Sequence, residues 1–291
     1  MKLLVLLLST LLFLTSCSSP KDKELKISVN SWIGYSPLFY AYDKGWLKKH
    51  NIKVVHVVSL AESMYIYDSK NADALTGTQY EYTTLKKEAK NLTPIMMFDK
   101  SFGGDMVMSN RTTLELQESN ETIDTHLELN SINSLVLAEF LKYYRIDEQK
   151  INYINQDQES ISTLKNSKTK PKLIVTYVPY NIRLKKNGFK TIASTRDELA
   201  ITVVDALFVT QYTLSKHEAQ FKALKIETNR AIEALEKNPQ EYYKHVKYYL
   251  QDISYEEFLD TLHDIKWINK TLSKELKERL QEIDFPTNGL L

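Results

Sequence analysis

Residues 27–39 read Ile27, Ser28, Val29, Asn30, Ser31, Trp32, Ile33, Gly34, Tyr35, Ser36, Pro37, Leu38, Phe39. Leu25, Ile27 and Val29 alternate with other residues at the period of a strand. Ser36 followed by Pro37 predicts a helix start, with an N-cap and a proline in the first turn, and Gly45 predicts its end. The loop between them carries two aromatics and a glycine that lets backbone approach a ligand. Strand, short loop and helix in that order open an α/β fold.

Outward from this unit the pattern repeats. Residues 54–58 are predicted as a second strand, 74–76 as a third, 79–89 as a helix and 94–98 as a fourth strand, together one βαβ-type half. The Gly103, Gly104 pair followed by Met106, Val107 and Met108 predicts a crossing to a second unit. That unit is expected to hold a helix over 134–144, with Leu135, Leu137, Leu141 and Tyr144 near helical spacing, and a buried-type strand over 173–177. Between them the polar stretch 152–170 is expected to hold one short helix, and the apolar run 201–209 predicts the return crossing. The remainder reads as helical. Ser215 with Glu218 and Ser254 with Glu257 have capping-box spacing, and Asn238 with Pro239 predicts a stop and a new start. The expected architecture is α/β with a mainly parallel sheet, residues 25–100 and 200–291 forming a first lobe and 101–199 a second.

Composition limits the function. The 291 residues are 43% hydrophobic and 26% charged, enough to bury one or two cores. Lys plus Arg is 38 against 37 for Asp plus Glu, a net charge of +1, so there is no basic excess to neutralise a nucleic-acid backbone. Seven Gly and one Cys exclude a disulfide scaffold and a Cys-rich zinc site. No Walker A, GxGxxG or GxSxG pattern occurs, and His50, His56, His126, His217, His245 and His263 show neither HExxH nor an i, i+4 pair. The expectation is no catalytic residue, no metal and no cofactor.

The amino terminus reads as an address. Met1 and Lys2 precede an apolar run over 3–14, too short to anchor stably in a bilayer of about 30 Å, so residues 1–16 are expected to be an export signal. Leu14, Thr15, Ser16 and Cys17 resemble a bacterial lipobox, in which the cysteine becomes the lipidated first residue. Residues 17–24, polar and carrying Pro20, are expected to be a tether. Removal of residues 1–16 would take away Lys2 alone among charged side chains and leave no net charge.

In open α/β sheets ligands bind beyond the carboxyl ends of strands, where helix starts offer free N–H groups. Four places match. Trp32, Gly34 and Tyr35 lie after the first strand; Thr76, Gly77, Gln79 and Tyr80 lie at the third; Asn133 opens the helix of the second unit; Tyr177 and Tyr180 follow its strand. Each residue also has a packing alternative, Trp32 and Tyr35 as core caps, Gly77 as a turn residue, Asn133 as an N-cap. Asp105 after the glycine pair is either a hinge-facing carboxylate that receives an amino group or a satisfied turn residue. Two loops from each unit would line one crevice, and closure on a solute is the natural mechanism.

The stretch from Ile27 to Phe39, with Ala41 and Gly45, is similar to the opening of ABC-transporter substrate-binding proteins of the nitrate/sulfonate/taurine type. Ala72, Asp73, Ala74 and Leu75 resemble the family's next signature, Asp205 to Val209 its returning strand, and Asn238 with Pro239 its later Asn-Pro. The resemblance covers most of the chain after residue 25 and implies a type II periplasmic-binding fold: two α/β lobes, a central cleft and C-terminal helices. It implies a monomeric, lipid-anchored, extracytoplasmic receptor that hands a small solute to ABC permease and ATPase subunits. Val178 stands where many relatives carry Glu before the proline, and residues 130–134 replace a Gly-rich start to the second lobe. Aromatic side chains suit a flat ring such as a pyrimidine, helix starts suit a sulfonate- or nitrate-type anion, and Asp105 suits an amine. Alternatives on the same fold are a sensory module that partners a membrane receptor and an enzyme of pyrimidine-type metabolism.

Overall fold

The computed structural model describes residues 23–88, 91–167, 169–196 and 199–291; Cys17 and the signal segment lie outside the described residues. Eleven strands are described: β1 (Leu25–Asn30), β2 (Ile52–Val57), β3 (Ala74–Thr78), β4 (Leu92–Ser101), β5 (Asp105–Ser109), β6 (Ile123–Leu127), β7 (Ile151–Asn155), β8 (Lys172–Tyr177), β9 (Lys190–Ser194), β10 (Val204–Thr210) and β11 (Ile265–Trp267). They form two sheets, β11-β4-β10-β3-β1-β2 and β7-β6-β8-β5-β9. The helices are α1 (Ser36–Asp43), α2 (Leu60–Asp68), α3 (Gln79–Lys86), α4 (Thr113–Glu118), α5 (Ile132–Tyr143), α6 (Gln158–Ser162), α7 (Tyr180–Lys186), α8 (Gln211–Lys216), α9 (Glu218–Lys237), α10 (Pro239–Val246), α11 (Tyr255–Leu262) and α12 (Lys274–Glu282). Each sheet with its helices is a lobe.

The sheets are mixed rather than mainly parallel. β1 pairs in parallel with β2 and β3, and β6 with β7 and β8, as βαβ units require. β10 runs antiparallel to β3 and β4, and β5 antiparallel to β8 and β9. Both reversed strands are the first to arrive from the other lobe. A strand that enters from the crossing end points against strands built from within, a direction that local periodicity does not carry.

Local signals held where side chains cap their own helix. Ser254 and Glu257 form the expected capping box, and the Asn238 side chain accepts the Glu241 N–H at 3.1 Å ahead of Pro239. Ser215 instead lies inside α8, its hydroxyl donating to the Tyr212 carbonyl, and α9 starts at Glu218 without a side-chain cap. α1 is entered through a 3-10 turn, Ile33–Tyr35, so Ser36 is already helical. β6, β9 and β11 escaped the pattern because they are short and carry polar residues; pairing with longer neighbours makes them strands. α9 and α10 pack on α1, with Tyr40 stacked on Tyr242 at 4.4 Å, which seats the carboxyl-terminal helices on the first lobe. Among the described residues no helix is long and apolar enough to cross a membrane.

Candidate functional site

The chain passes between the lobes twice, from β4 to β5 and from β9 to β10. Three acidic residues fall at these crossings: Asp99 near the end of β4, Asp105 opening β5 and Asp205 in β10, all buried. The crossings are tied together. Ser101 and Thr195 hydroxyls bond at 2.7 Å, the Asp105 N–H donates to Ser101 Oγ at 3.0 Å, and the Thr195 N–H donates to the Asp105 carbonyl at 3.0 Å.

Two of the acids are held by aromatic donors from the loop after β1. The Trp32 indole N–H donates to Asp99 at 3.2 Å, and the Tyr35 hydroxyl donates to Asp205 Oδ1 at 2.5 Å. Gly34 makes this possible, since a Cβ there would lie 1.8 Å from Asp99 Oδ2. None of the ion pairs among the described residues involves these acids. Burial, and then the negative charge of its neighbours, therefore holds each carboxyl above its ordinary range: Asp105 is pushed up to about 7, and Asp99 and Asp205 are raised strongly.

Asp105 and Asp205 floor a small cavity lined by Asn30, Trp32, Leu60, Thr78 and Asp205 from one lobe and Asp105, Ile132 and Tyr177 from the other. Its volume is about 10 Å³, the space of a single water-sized centre. Asn30 donates its amide to the Tyr177 hydroxyl at 3.1 Å, across the lobes, and keeps its carbonyl oxygen unpartnered. Asp105 Oδ2 and Asp205 Oδ2 are also buried without a partner.

The walls are different: two of the helix starts expected to face a ligand, those of α3 and α5, are filled by the protein, and so is that of α2. Glu81, on α3 of the first lobe, accepts the Ile132 N–H at the start of α5 in the second, at 2.8 Å. Glu128, following β6 in the second lobe, accepts the Ala61 N–H in the first turn of α2, at 2.5 Å. The other Glu81 oxygen accepts from the Thr78 N–H and hydroxyl in a capping box that closes α3 itself. Each lobe thus supplies a carboxylate to the other's helix start, where positive dipole and free N–H groups favour it. Burial raises both carboxyls, Glu128 to about 7. Tyr180 adds a further tie, its hydroxyl donating to the Val58 carbonyl at 2.7 Å.

Of the residues singled out in the sequence, Trp32, Asp105 and Tyr177 line the cavity, and Gly34 backs it. Tyr35 and Tyr180 stand one layer behind: Tyr35 holds Asp205, and Tyr180 meets Tyr177 edge-on at 5.4 Å. Thr76 and Gly77 are interior to β3, Thr76 donating to the Ser28 carbonyl and Gly77 packing on Glu81 and Phe208. Gln79 straps the return crossing, donating to the Thr202 carbonyl and accepting the Val204 N–H; with Tyr80 it lines a separate cavity of about 700 Å³. Asn133 accepts from Gln158 at 2.6 Å within the second lobe and does not line the small cavity. The reading missed Asn30, Asp99, Asp205, Glu81 and Glu128. A detectable signal existed for two of them, an acid inside an apolar strand run, Phe98-Asp99 and Val204-Asp205-Ala206, since a buried charge is costly unless it has work to do.

Among the described residues no three His, Cys, Asp or Glu side chains converge closely enough to hold a metal ion. No protein-family model matches the sequence, and no curated protein sequence is significantly similar to it. Solved structures are similar over nearly the whole chain. The ligand-binding component of an ABC-type import system from Staphylococcus aureus, with zinc bound, superposes with a TM-score of 0.72 at 13% identity, covering 90% of this chain and 91% of that one. The alkanesulfonate-binding protein from Xanthomonas axonopodis pv. citri, bound to MOPS, gives 0.68 at 11% identity over 92% and 96%. The periplasmic nitrate-binding protein from Synechocystis PCC 6803 gives 0.64 at 11% identity over 84% and 70%. Two mixed sheets, crossed twice and backed by carboxyl-terminal helices, are the periplasmic-binding-protein fold, and this chain adopts it.

Proposed function

We propose that this chain is the extracytoplasmic solute-binding component of an ABC importer, carried to the membrane by a lipid on Cys17. Residues 25–100 with 200–291 and residues 101–199 act as its two jaws. The observation that carries the reading is the small cavity lined from both lobes beside the two crossings, with Asp105 and Asp205 on its floor. A solute that touches both walls stabilises the closed arrangement, and only that difference in affinity between open and closed forms drives closure. The Glu81 and Glu128 contacts are made only when the lobes meet, so they add to the closed form without touching the solute.

The test is titration calorimetry of the purified chain against pyrimidines, amines, sulfonates and nitrate, with X-ray scattering to follow the radius of gyration. Heat accompanied by contraction supports a clamp. No heat and no thermal shift with any of the four classes removes it. Partition of the expressed protein into detergent, lost in Cys17→Ala, tests the anchor.

A further inference from the structure

The three unpartnered atoms at the cavity, Asn30 Oδ1, Asp105 Oδ2 and Asp205 Oδ2, are an amide oxygen and two carboxyl oxygens that are acceptors once ionised, the form a bound cation favours. Their residues are 1%, 3% and 3% exposed, so water does not serve them freely. A buried acceptor without a donor costs free energy, and three around one small space mark where a group rich in N–H or O–H belongs. The surrounding charge has one sign. Asp99 and Glu81 lie close enough to Asp205 to raise its carboxyl, and among the described residues no Lys or Arg pairs with any of these acids. Two helix starts that would otherwise receive an anion, those of α5 and α2, are filled by Glu81 and Glu128, and these carboxylates repel a second negative charge.

Building on the clamp reading, we propose that the solute is an organic cation, a protonated amine or amidine, whose N–H groups are received by Asp105, Asp205 and Asn30 beside the Trp32 ring. Asp105 comes from one lobe and Asp205 and Asn30 from the other; the space of about 10 Å³ between them admits one water, so a cation enters with the jaws further apart and then bridges them. A metal ion is a poorer occupant, because the acids do not converge to ligand distances, whereas N–H donors of a planar amidinium reach acceptors several ångströms apart. Trp32 and Tyr177, crossed at 75° with centroids 5.9 Å apart, offer aromatic surface to the cation or to a flat body attached to it. The site therefore selects a charge opposite to that of a sulfonate or nitrate.

Benzamidine and benzylamine are the cationic probes, benzamide the neutral one, and methanesulfonate and nitrate the anions, each titrated by calorimetry and thermal shift. The expected result is binding by the cations and none by benzamide or the anions. Asp105→Asn and Asp205→Asn should each weaken cation binding at least tenfold. Both variants remove a buried charge and keep the side-chain shape, and their unliganded melting and circular dichroism show that they are folded. Binding of an anion with no binding of the cations overturns the cation and leaves the clamp standing. Cation binding unchanged in both Asp variants also overturns it, since the probe then sits elsewhere. Silence from all five probes, or binding of benzamide as tight as that of benzamidine, overturns the cation and leaves the clamp to the pyrimidine titration.

Discussion

The floor and the walls of the cleft are built from the same chemistry and treat it in opposite ways. On the walls Glu81 and Glu128 accept backbone N–H groups from helix starts of the opposite lobe, and those carboxylate bonds are made within the protein. On the floor Asp105 and Asp205 each leave an oxygen without a donor, a few residues from the crossings. Buried polar groups are satisfied almost everywhere in folded proteins. On the walls one oxygen of each Glu ties the two lobes together, although Glu128 Oε2 has no partner, whereas on the floor the bonds to Asp99 and Asp205 stay within one lobe.

That contrast breaks first on pH. Asp105 and Glu128 are both held near 7, well above their values in an unfolded chain of about 4, and Asp99 and Asp205 are raised in the same direction. The folded state therefore keeps protons that the unfolded chain has lost, and stability falls as pH rises from about 4 to about 7, by several kcal/mol in total. Thermal melting between pH 5 and pH 8 should show the decline, and Asp105→Asn should make it shallower, leaving the part due to Glu128, Asp99 and Asp205, and raise the melting temperature at pH 8. A flat profile in the parent protein would mean the floor is not a buried negative site.

Gly34→Ala is the next largest effect. Its Cβ would overlap Asp99 and the Trp32 indole, so the pair must separate at a cost of about 3 kcal/mol, read as a lower urea midpoint. Glu81→Ala leaves the Ile132 and Thr78 N–H groups without acceptors and should cost about 2 kcal/mol. Because it acts on the wall, it should also enlarge the unliganded radius of gyration, which Asp105→Asn should not. Tyr180→Phe removes one bond between lobes, to the Val58 carbonyl, and should cost about 1 kcal/mol by the same denaturation measurement. Equal behaviour of wall and floor variants in scattering would erase the distinction.

Much of the scaffold was legible. The Leu25, Ile27, Val29 alternation, the capping box at Ser254 and the Asn238-Pro239 break all act within a few residues, and the structure honours them. Of the residues singled out in the sequence, Trp32, Asp105 and Tyr177 line the small cavity, each following, opening or ending a strand at a crossing or loop. Asn30 escaped because it completes a buried strand and reads as part of it. Asp99 and Asp205 lie in apolar runs more than one hundred residues apart, and sequence position alone does not say that they share a floor. Helix starts were taken as open because only the three-dimensional packing shows what fills them.

The sequence by itself determined much of the alternation of strands and helices, since that depends on side-chain period and on caps a turn away. Tertiary structure alone decided the reversed strands, the exchange of Glu81 and Glu128 between lobes and the sign of charge in the cleft. Those features arise where segments far apart in the chain are brought within hydrogen-bond reach, and the free energy of a buried carboxylate depends on which partner it meets there.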